Sequence, residues 1–171
     1  YNIAIGYDAL QQNNASQNVA VGHDALKLNT TGDYQTAVGC NALAANTTGS
    51  SNVAVGGLSL LDNVTGSSNV AIGVQALQDN LASSNTAVGR DALKLNTTGS
   101  TLVAIGKDAL ASNTTASHNV AVGHDALQAN QTGTDCVAVG GNALQANTVS
   151  NNTAVGRSAL YTSSTAQYCT A

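Results

Sequence analysis

Asn119–Asn130, NVAVGHDALQAN, decides the fold, because variants of it fill the chain from end to end. The fixed part is small: Ala, then Val or Ile, then Gly, with Ala (once Ser) three residues beyond the Gly and Leu four beyond. We call these glycines the marks: Gly6, Gly22, Gly39, Gly56, Gly73, Gly89, Gly106, Gly123, Gly140 and Gly156. Successive marks are 16 or 17 residues apart. A unit of this length at fixed period is one coil of a solenoid, which cannot bury its apolar face alone and must stack on its neighbours. The expected fold is all-β, a parallel β-solenoid (β-roll) of ten coils forming a single domain over residues 1–171.

Within a coil, the residue four before the mark is usually Asn, as at Asn2, Asn18, Asn52, Asn69, Asn85, Asn119 and Asn152. Val, Ile or Thr follows, then Ala in every copy, then Val or Ile in every copy. A β-branched, alternating run reads as a strand. Strand alternation puts the Ala and the flanking Val/Ile on opposite faces. The expectation is Ala inside the roll against the Leu column, with Val/Ile turned outward toward partner chains. The reverse assignment, Val/Ile inside, is the alternative. The mark reads as a bend where a side chain would clash or φ is positive. The following Asp-Ala-Leu segment reads as a second short strand, since about six residues between turns are too few for a stable helix. The turn itself is Asn29-Thr30-Thr31-Gly32, repeated at 46–49 and 96–99, with Gly expected to supply φ > 0.

A longer period lies behind the first. The 16-residue coils follow Gly6, Gly73 and Gly140, which are 67 residues apart. Ten residues past these marks stand Ser16, Ser83 and Ser150, where five of the other seven coils have Gly. DALKLNTTG occurs identically at 24–32 and 91–99. The chain is read as a duplicated block of four coils. It starts and stops inside a repeat, which reads as an internal segment of a longer fibre.

Composition sets bounds on function. Phe, Trp, Met and Pro are absent from the 171 residues, so a core built here is thin and regular rather than filled by large aromatics. A chain rich in Asn, Ser, Thr and Gly would be disordered were its apolar residues not in register. Net charge is −4 with no basic patch, which removes the electrostatic term for nucleic acid. No apolar run reaches the length that inserts in a membrane. Cys136 and Cys169 share a repeat position two coils apart, about 9–10 Å, beyond disulfide reach. Cys40 stands at another position, so no intrachain disulfide is expected.

Candidate sites follow from where the repeat varies. The residue just after the mark is the most variable, and Tyr7, His23, Arg90, Lys107, His124 and Arg157 are read as an exposed stripe able to contact a ligand. The next position carries Asp8, Asp24, Asp91, Asp108 and Asp125. That column is read as turn-forming Asp neutralised by Arg90, Lys107 and His124 alongside, not as a Ca²⁺ ladder. Eight N-x-S/T sequons, at Asn14, Asn29, Asn46, Asn63, Asn96, Asn113, Asn130 and Asn151, are candidate glycosylation sites. Turn chemistry accounts for the six that share one position. No nucleophile elbow, metal-spaced His/Cys set or phosphate loop occurs, so no catalysis, metal or cofactor is expected.

N-[VT]-A-[VI]-G with downstream A-L and N-T-T-G resembles the head repeats of trimeric autotransporter adhesins and the repeats of tail-fibre-like proteins of phages and bacteria. The resemblance covers essentially the whole chain. It implies parallel β-roll coils, left-handed in the adhesin heads, with three chains side by side. The function it implies is a structural and adhesive fibre segment, extracellular, on a cell surface or virion, displaying variable loops to a glycan or protein receptor. Partners are then a homotrimer or a head-to-tail polymer, the latter a self-assembling filament. An ice-binding solenoid is a further alternative, since Thr30, Thr47, Thr97 and Thr114 align, although Val64, Leu81 and Gln131 interrupt them.

Overall fold

A computed structural model of the chain describes residues 1–162 and 165–171. Ten three-residue strands form one sheet: β1 (Ile3–Ile5), β2 (Val19–Val21), β3 (Thr36–Val38), β4 (Val53–Val55), β5 (Val70–Ile72), β6 (Thr86–Val88), β7 (Val103–Ile105), β8 (Val120–Val122), β9 (Val137–Val139) and β10 (Thr153–Val155). They lie in chain order, each parallel to the next, with Ala opposite Ala at every step, from Ala4–Ala20 to Ala138–Ala154. No helix occurs among the described residues. A bridge from Thr153 to Thr170 begins an eleventh coil. The chain is a parallel β-solenoid.

The core is three columns. The strand alanines, the alanine three past the mark and the leucine four past it are fully buried through the middle coils, as at Ala54, Ala76 and Leu77. The flanking Val/Ile side chains are half-buried or exposed, Ile72 at 40% and Ile105 at 41%. Ala therefore faces in and Val/Ile out, as the invariance of the Ala suggested.

The second strand is not there. The segment after the mark is a run of turns. In the second coil Ala25, Lys27 and Asn29 donate to the carbonyls three residues back, at 3.3–3.4 Å. Asp24 donates to Tyr7 O of the preceding coil at 2.9 Å, and Leu26 to Ala42 O of the following one at 3.0 Å. Leu at this position has φ between 50 and 55° in all ten coils. A left-handed backbone costs a leucine about 1–2 kcal/mol. Burying its side chain returns about 1.5–3 kcal/mol, so burial wins. A strand would turn either Ala25 or Leu26 outward, whereas these turns bury both.

Two buried amide ladders run beside this core. Four residues before the mark, each side-chain oxygen accepts the backbone N–H of the same position one coil on: Asn18 Oδ1 from Gln35 N, Asn52 Oδ1 from Asn69 N, both at 2.9 Å. Seven residues past the mark, Asn46 Nδ2 donates to Asn29 Oδ1 at 2.8 Å and to Gly49 O at 3.0 Å. This ladder breaks after Asn63 and after Asn113, whose Oδ1 atoms are buried and unpartnered. Cys136 replaces Asn in the first ladder, and its thiol donates to Val149 O at 3.2 Å. Burial pushes that thiol's pKa up.

The four-coil block is visible in these amides. In the 17-residue coils the turn Asn donates to the carbonyl three residues on, as Asn29 to Gly32. In the 16-residue coils it reaches only two residues on: Asn13 to Ala15, Asn80 to Ala82, Asn147 to Val149. Among the described residues, there alone it also accepts from the next strand's Asn, as Asn80 Oδ1 does from Asn85 at 3.1 Å. Ser16, Ser83 and Ser150 do not replace the turn glycine. Ser83 Oγ accepts from Ser67 N just as Ser67 Oγ accepts from Ser50 N. The missing residue lies earlier, between the Asn and this hydroxyl ladder, and Ala15, Ala82 and Val149 take the glycine's place.

The two kinds of glycine differ. At a mark such as Gly56, φ is +132° and a Cβ would lie 2.6 Å from the carbonyl of Gly73. Turn glycines have no such φ, contrary to expectation. Gly49 is small because a Cβ would meet Gly66 O at 2.2 Å. At Gly56 and Gly49 the coils stack too closely for a side chain, whereas Ala116 carries one at the turn position of its own coil.

Gly56→Ala should destabilise the chain by about 2 kcal/mol or more, from strain and clash together. Gly57→Ala, where a Cβ finds nothing nearer than 3.9 Å, should stay within about 0.5 kcal/mol. Asn46→Ala should cost about 1–3 kcal/mol, since it strands Asn29 Oδ1 in the interior and takes one of two bonds each from Gly49 O and Asn63 Nδ2. Urea midpoints of the three variants check all of this.

Candidate functional site

The residue after each mark follows directly on the bend, with its side chain clear of the core. Tyr7, His23, Cys40, Val74, Arg90, Lys107, His124 and Arg157 are all exposed. They form one ridge along the solenoid, because successive coils stack in register. Tyr7 and His23 stack their rings at 5.4 Å.

The Asp column runs beside this ridge. Asp8, Asp24, Asp91, Asp108 and Asp125 have φ of 54–58°, a left-handed turn position that Asp tolerates without a glycine. Turn formation is thus their structural role. The residues the sequence suggested lie beside them: Arg90 Nε is 3.2 Å from Asp91, Lys107 pairs with Asp108, and His124 Nδ1, a cation only when protonated, is 3.0 Å from Asp125. His23 makes the same contact to Asp24 at 3.2 Å.

Lysines five past the mark are a second set of neutralisers, which the sequence reading missed. Lys27 Nζ bridges two coils, 3.0 Å from Asp8 Oδ2 and 3.0 Å from Asp24 Oδ1. Lys94 approaches Asp91 at 3.5 Å. The signal was present as Asp-x-x-Lys in both copies of DALKLNTTG. Two carboxylates one coil apart, about 4.8 Å, repel by about 3.5 kcal/mol at an effective dielectric near 20. An intervening ammonium reverses that sign.

The glycosylation candidates divide sharply. Asn29, Asn46, Asn63, Asn96, Asn113 and Asn130 are fully buried in the turn ladder. A glycan on their Nδ2 would have no space and would remove a donor from the interior. These six are therefore corrected from surface acceptors to core residues. Asn14 is exposed and Asn151 half-buried.

The threonine column is committed to the fold. Thr30 Oγ1 donates to Thr47 O at 2.9 Å, and Thr97 Oγ1 to Thr114 O at 2.9 Å. These hydroxyl hydrogens serve the next coil. The cysteines are free thiols, Cys40 exposed and Cys136 buried. No pocket occurs among the described residues, and no helix is long and apolar enough to cross a membrane.

No protein-family model matches the chain, no curated protein is detectably similar to it, and no solved structure matches it. Function must therefore be argued from the ridge, the charged column and the outward Val/Ile face.

The bridge at Lys27 has a pH consequence. Hydrogen bonds to Asp24 and then Asp8 raise its pKa above the ordinary 10.5. The bridge's contribution to stability is then whole below the unfolded value of 10.5 and is lost as pH rises through the higher folded value. NMR titration of the Lys27 side chain should give a midpoint above 10.5, and the double variant Asp8→Asn, Asp24→Asn should lower it.

Proposed function

We propose that this chain is a rigid segment of an extracellular fibre, three copies side by side, holding the variable ridge out for attachment to a glycan or protein receptor. The observation that carries the reading is the outward face of the sheet. Two Val/Ile/Thr columns run along all ten strands, over about 43 Å at about 4.8 Å per coil. Ile72, Ile105, Val139 and Val155 are 37–63% exposed. A continuous apolar strip of this size is unusual on a monomer and is typical of a surface that packs on another chain. A second copy is the occupant the strip fits, since its period along the fibre is the same.

The ridge supports the attachment half of the reading. Its side chains change from coil to coil while the frame beneath does not, so the fold tolerates whatever contact selection demands. The thiol, imidazole, guanidinium and ammonium groups there are exposed and positioned by a stiff backbone. Ice binding is disfavoured by the same geometry, because the aligned threonines donate to carbonyls of the next coil. The proposed setting is a cell surface or virion.

Analytical ultracentrifugation should return three times the 17.0 kDa of one chain. Val55→Asp with Ile72→Asp should convert the assembly to single chains and leave the β circular dichroism signal intact, because both side chains point away from the core. A native chain that stays monomeric at high concentration would overturn the assembly reading. Loss of the β signal in the double variant would instead mean that the face supports the coil itself.

A further inference from the structure

Asp108, His124 and Asp125 offer carboxylate and imidazole atoms that all lie within 4.8 Å of one another. Such a cluster on a surface says little by itself. The repeat supplies a comparison within the chain. Asp8 and Asp24 are the same pair of carboxylates on neighbouring coils, and a cation sits between them: Lys27 Nζ, 3.0 Å from Asp8 Oδ2 and 3.0 Å from Asp24 Oδ1. Lys27 is five residues past its mark. The residue at that position in the coil of Asp125 is Gln128, a neutral amide whose Oε1 accepts from Gln145 Nε2 at 2.9 Å. Asp125 Oδ1 corresponds to the oxygen of Asp24 that holds the ammonium. It is buried and has no hydrogen-bond partner among the described residues. The constellation thus recurs, His124 Nδ1 lying 3.0 Å from Asp125 Oδ2 as His23 Nδ1 lies 3.2 Å from Asp24 Oδ2, but with the bridging lysine replaced and one oxygen orphaned.

We propose that Asp108, His124 and Asp125 bind a divalent transition-metal ion of the Zn²⁺ class, taking the place that the Lys27 ammonium takes between Asp8 and Asp24. Imidazole plus carboxylate suits such ions, whereas an all-oxygen set would suit Ca²⁺ or Mg²⁺. Bonds of about 2.0–2.1 Å put tetrahedral ligand atoms about 3.3 Å apart, so the three side chains must close by a modest rotation. His124 is 54% exposed and has room to make it. Water completes the ligand set. Lys107, paired with Asp108 Oδ2 and 44% exposed, is the competing cation and must swing aside. The site lies within one chain, so it stands whether or not the chain forms a trimer.

Zn²⁺ titrated into the native chain by calorimetry should show one saturable site per chain. His124→Gln and Asp125→Asn should each weaken it at least tenfold with unchanged circular dichroism. Gln128→Lys is the sharper variant: it keeps all three ligands, installs the ammonium as in the Lys27 coil, and should abolish uptake. Lys107→Met should tighten binding. Absence of saturable uptake by the native chain overturns the proposal. So does uptake that survives either His124→Gln or Gln128→Lys unchanged, as Zn²⁺ held on Cys40 or Cys169 would.

Discussion

The structure depends on keeping buried amides paired from one coil to the next. The roll is too thin to bury its backbone behind large side chains. Its apolar interior is alanine and leucine, flanked by the two Asn ladders. Every inward N–H near those ladders must find a partner, since an unmet buried donor costs about 1–3 kcal/mol. Asn is suited to this because one amide both donates and accepts. Asn52 shows the full pattern: its oxygen takes the N–H of Asn69, and its nitrogen reaches Gly66 O at 2.8 Å. The two orphaned oxygens, on Asn63 and Asn113, mark where the period is interrupted or the geometry slips. Leu102 and Cys136 occupy first-ladder positions with apolar or weakly polar groups, so the ladder tolerates single gaps.

Close stacking then decides the glycines and the turns. A coil that hydrogen-bonds to its neighbour through side-chain amides brings backbone onto backbone at the marks, where a Cβ would fall 2.3–2.6 Å from the next carbonyl over most of the chain. The same closeness forces the chain to turn back at once, through left-handed Asp and Leu, instead of running on as a second strand. Left-handed Asp is what creates the carboxylate column. The charge problem on the surface is therefore a consequence of the geometry in the interior. Lys27, Arg90, Lys94, Lys107 and His124 are different local answers to it.

The period, the strand position and the inward Ala were legible because they repeat in every copy. What stayed hidden was anything whose meaning depends on the neighbouring coil. Asn29 in N-T-T-G looks like a turn residue in its own sequence, and it is one, but its amide also reaches Asn13 one coil away. That second bond is what buries it and closes it to glycosylation. The Asp-Ala-Leu segment carried no sign of positive φ, since nothing about Leu favours a left-handed backbone except the burial it gains. The short coils were recognised by length, yet their Ser was aligned to the wrong residue, because counting forward from one mark ignores that the hydroxyl is in register with the next. The exposed ridge was found by variability alone. Its charge pairing to the Asp column was half legible, and Asp-x-x-Lys across coils was overlooked because its second carboxylate is 19 residues from the lysine in sequence.

Repetition also makes exceptions interpretable. In an ordinary domain an unpartnered carboxylate oxygen has no reference point. Here each position has up to ten versions of itself, so the environment of Asp125 can be read against that of Asp24 with the backbone held constant. The lysine occurs at its position in only two coils, those of Lys27 and Lys94, which stand 67 residues apart and so belong to the duplicated block. The second block keeps the lysine and the carboxylate of its own coil, Lys94 with Asp91, but has Gln75 where the first has Asp8. The following coils of the second block, those of Asp108 and Asp125, have the carboxylate without the lysine, whereas their counterparts in the first block are Asn41 and Leu58, without the carboxylate. Removing the charge is the inexpensive solution to a column of like charges. The coil pair of Asp108 and Asp125 instead retains both carboxylates without a lysine between them, so their pairing moves from between the coils to within each coil, Lys107 with Asp108 and His124 with Asp125.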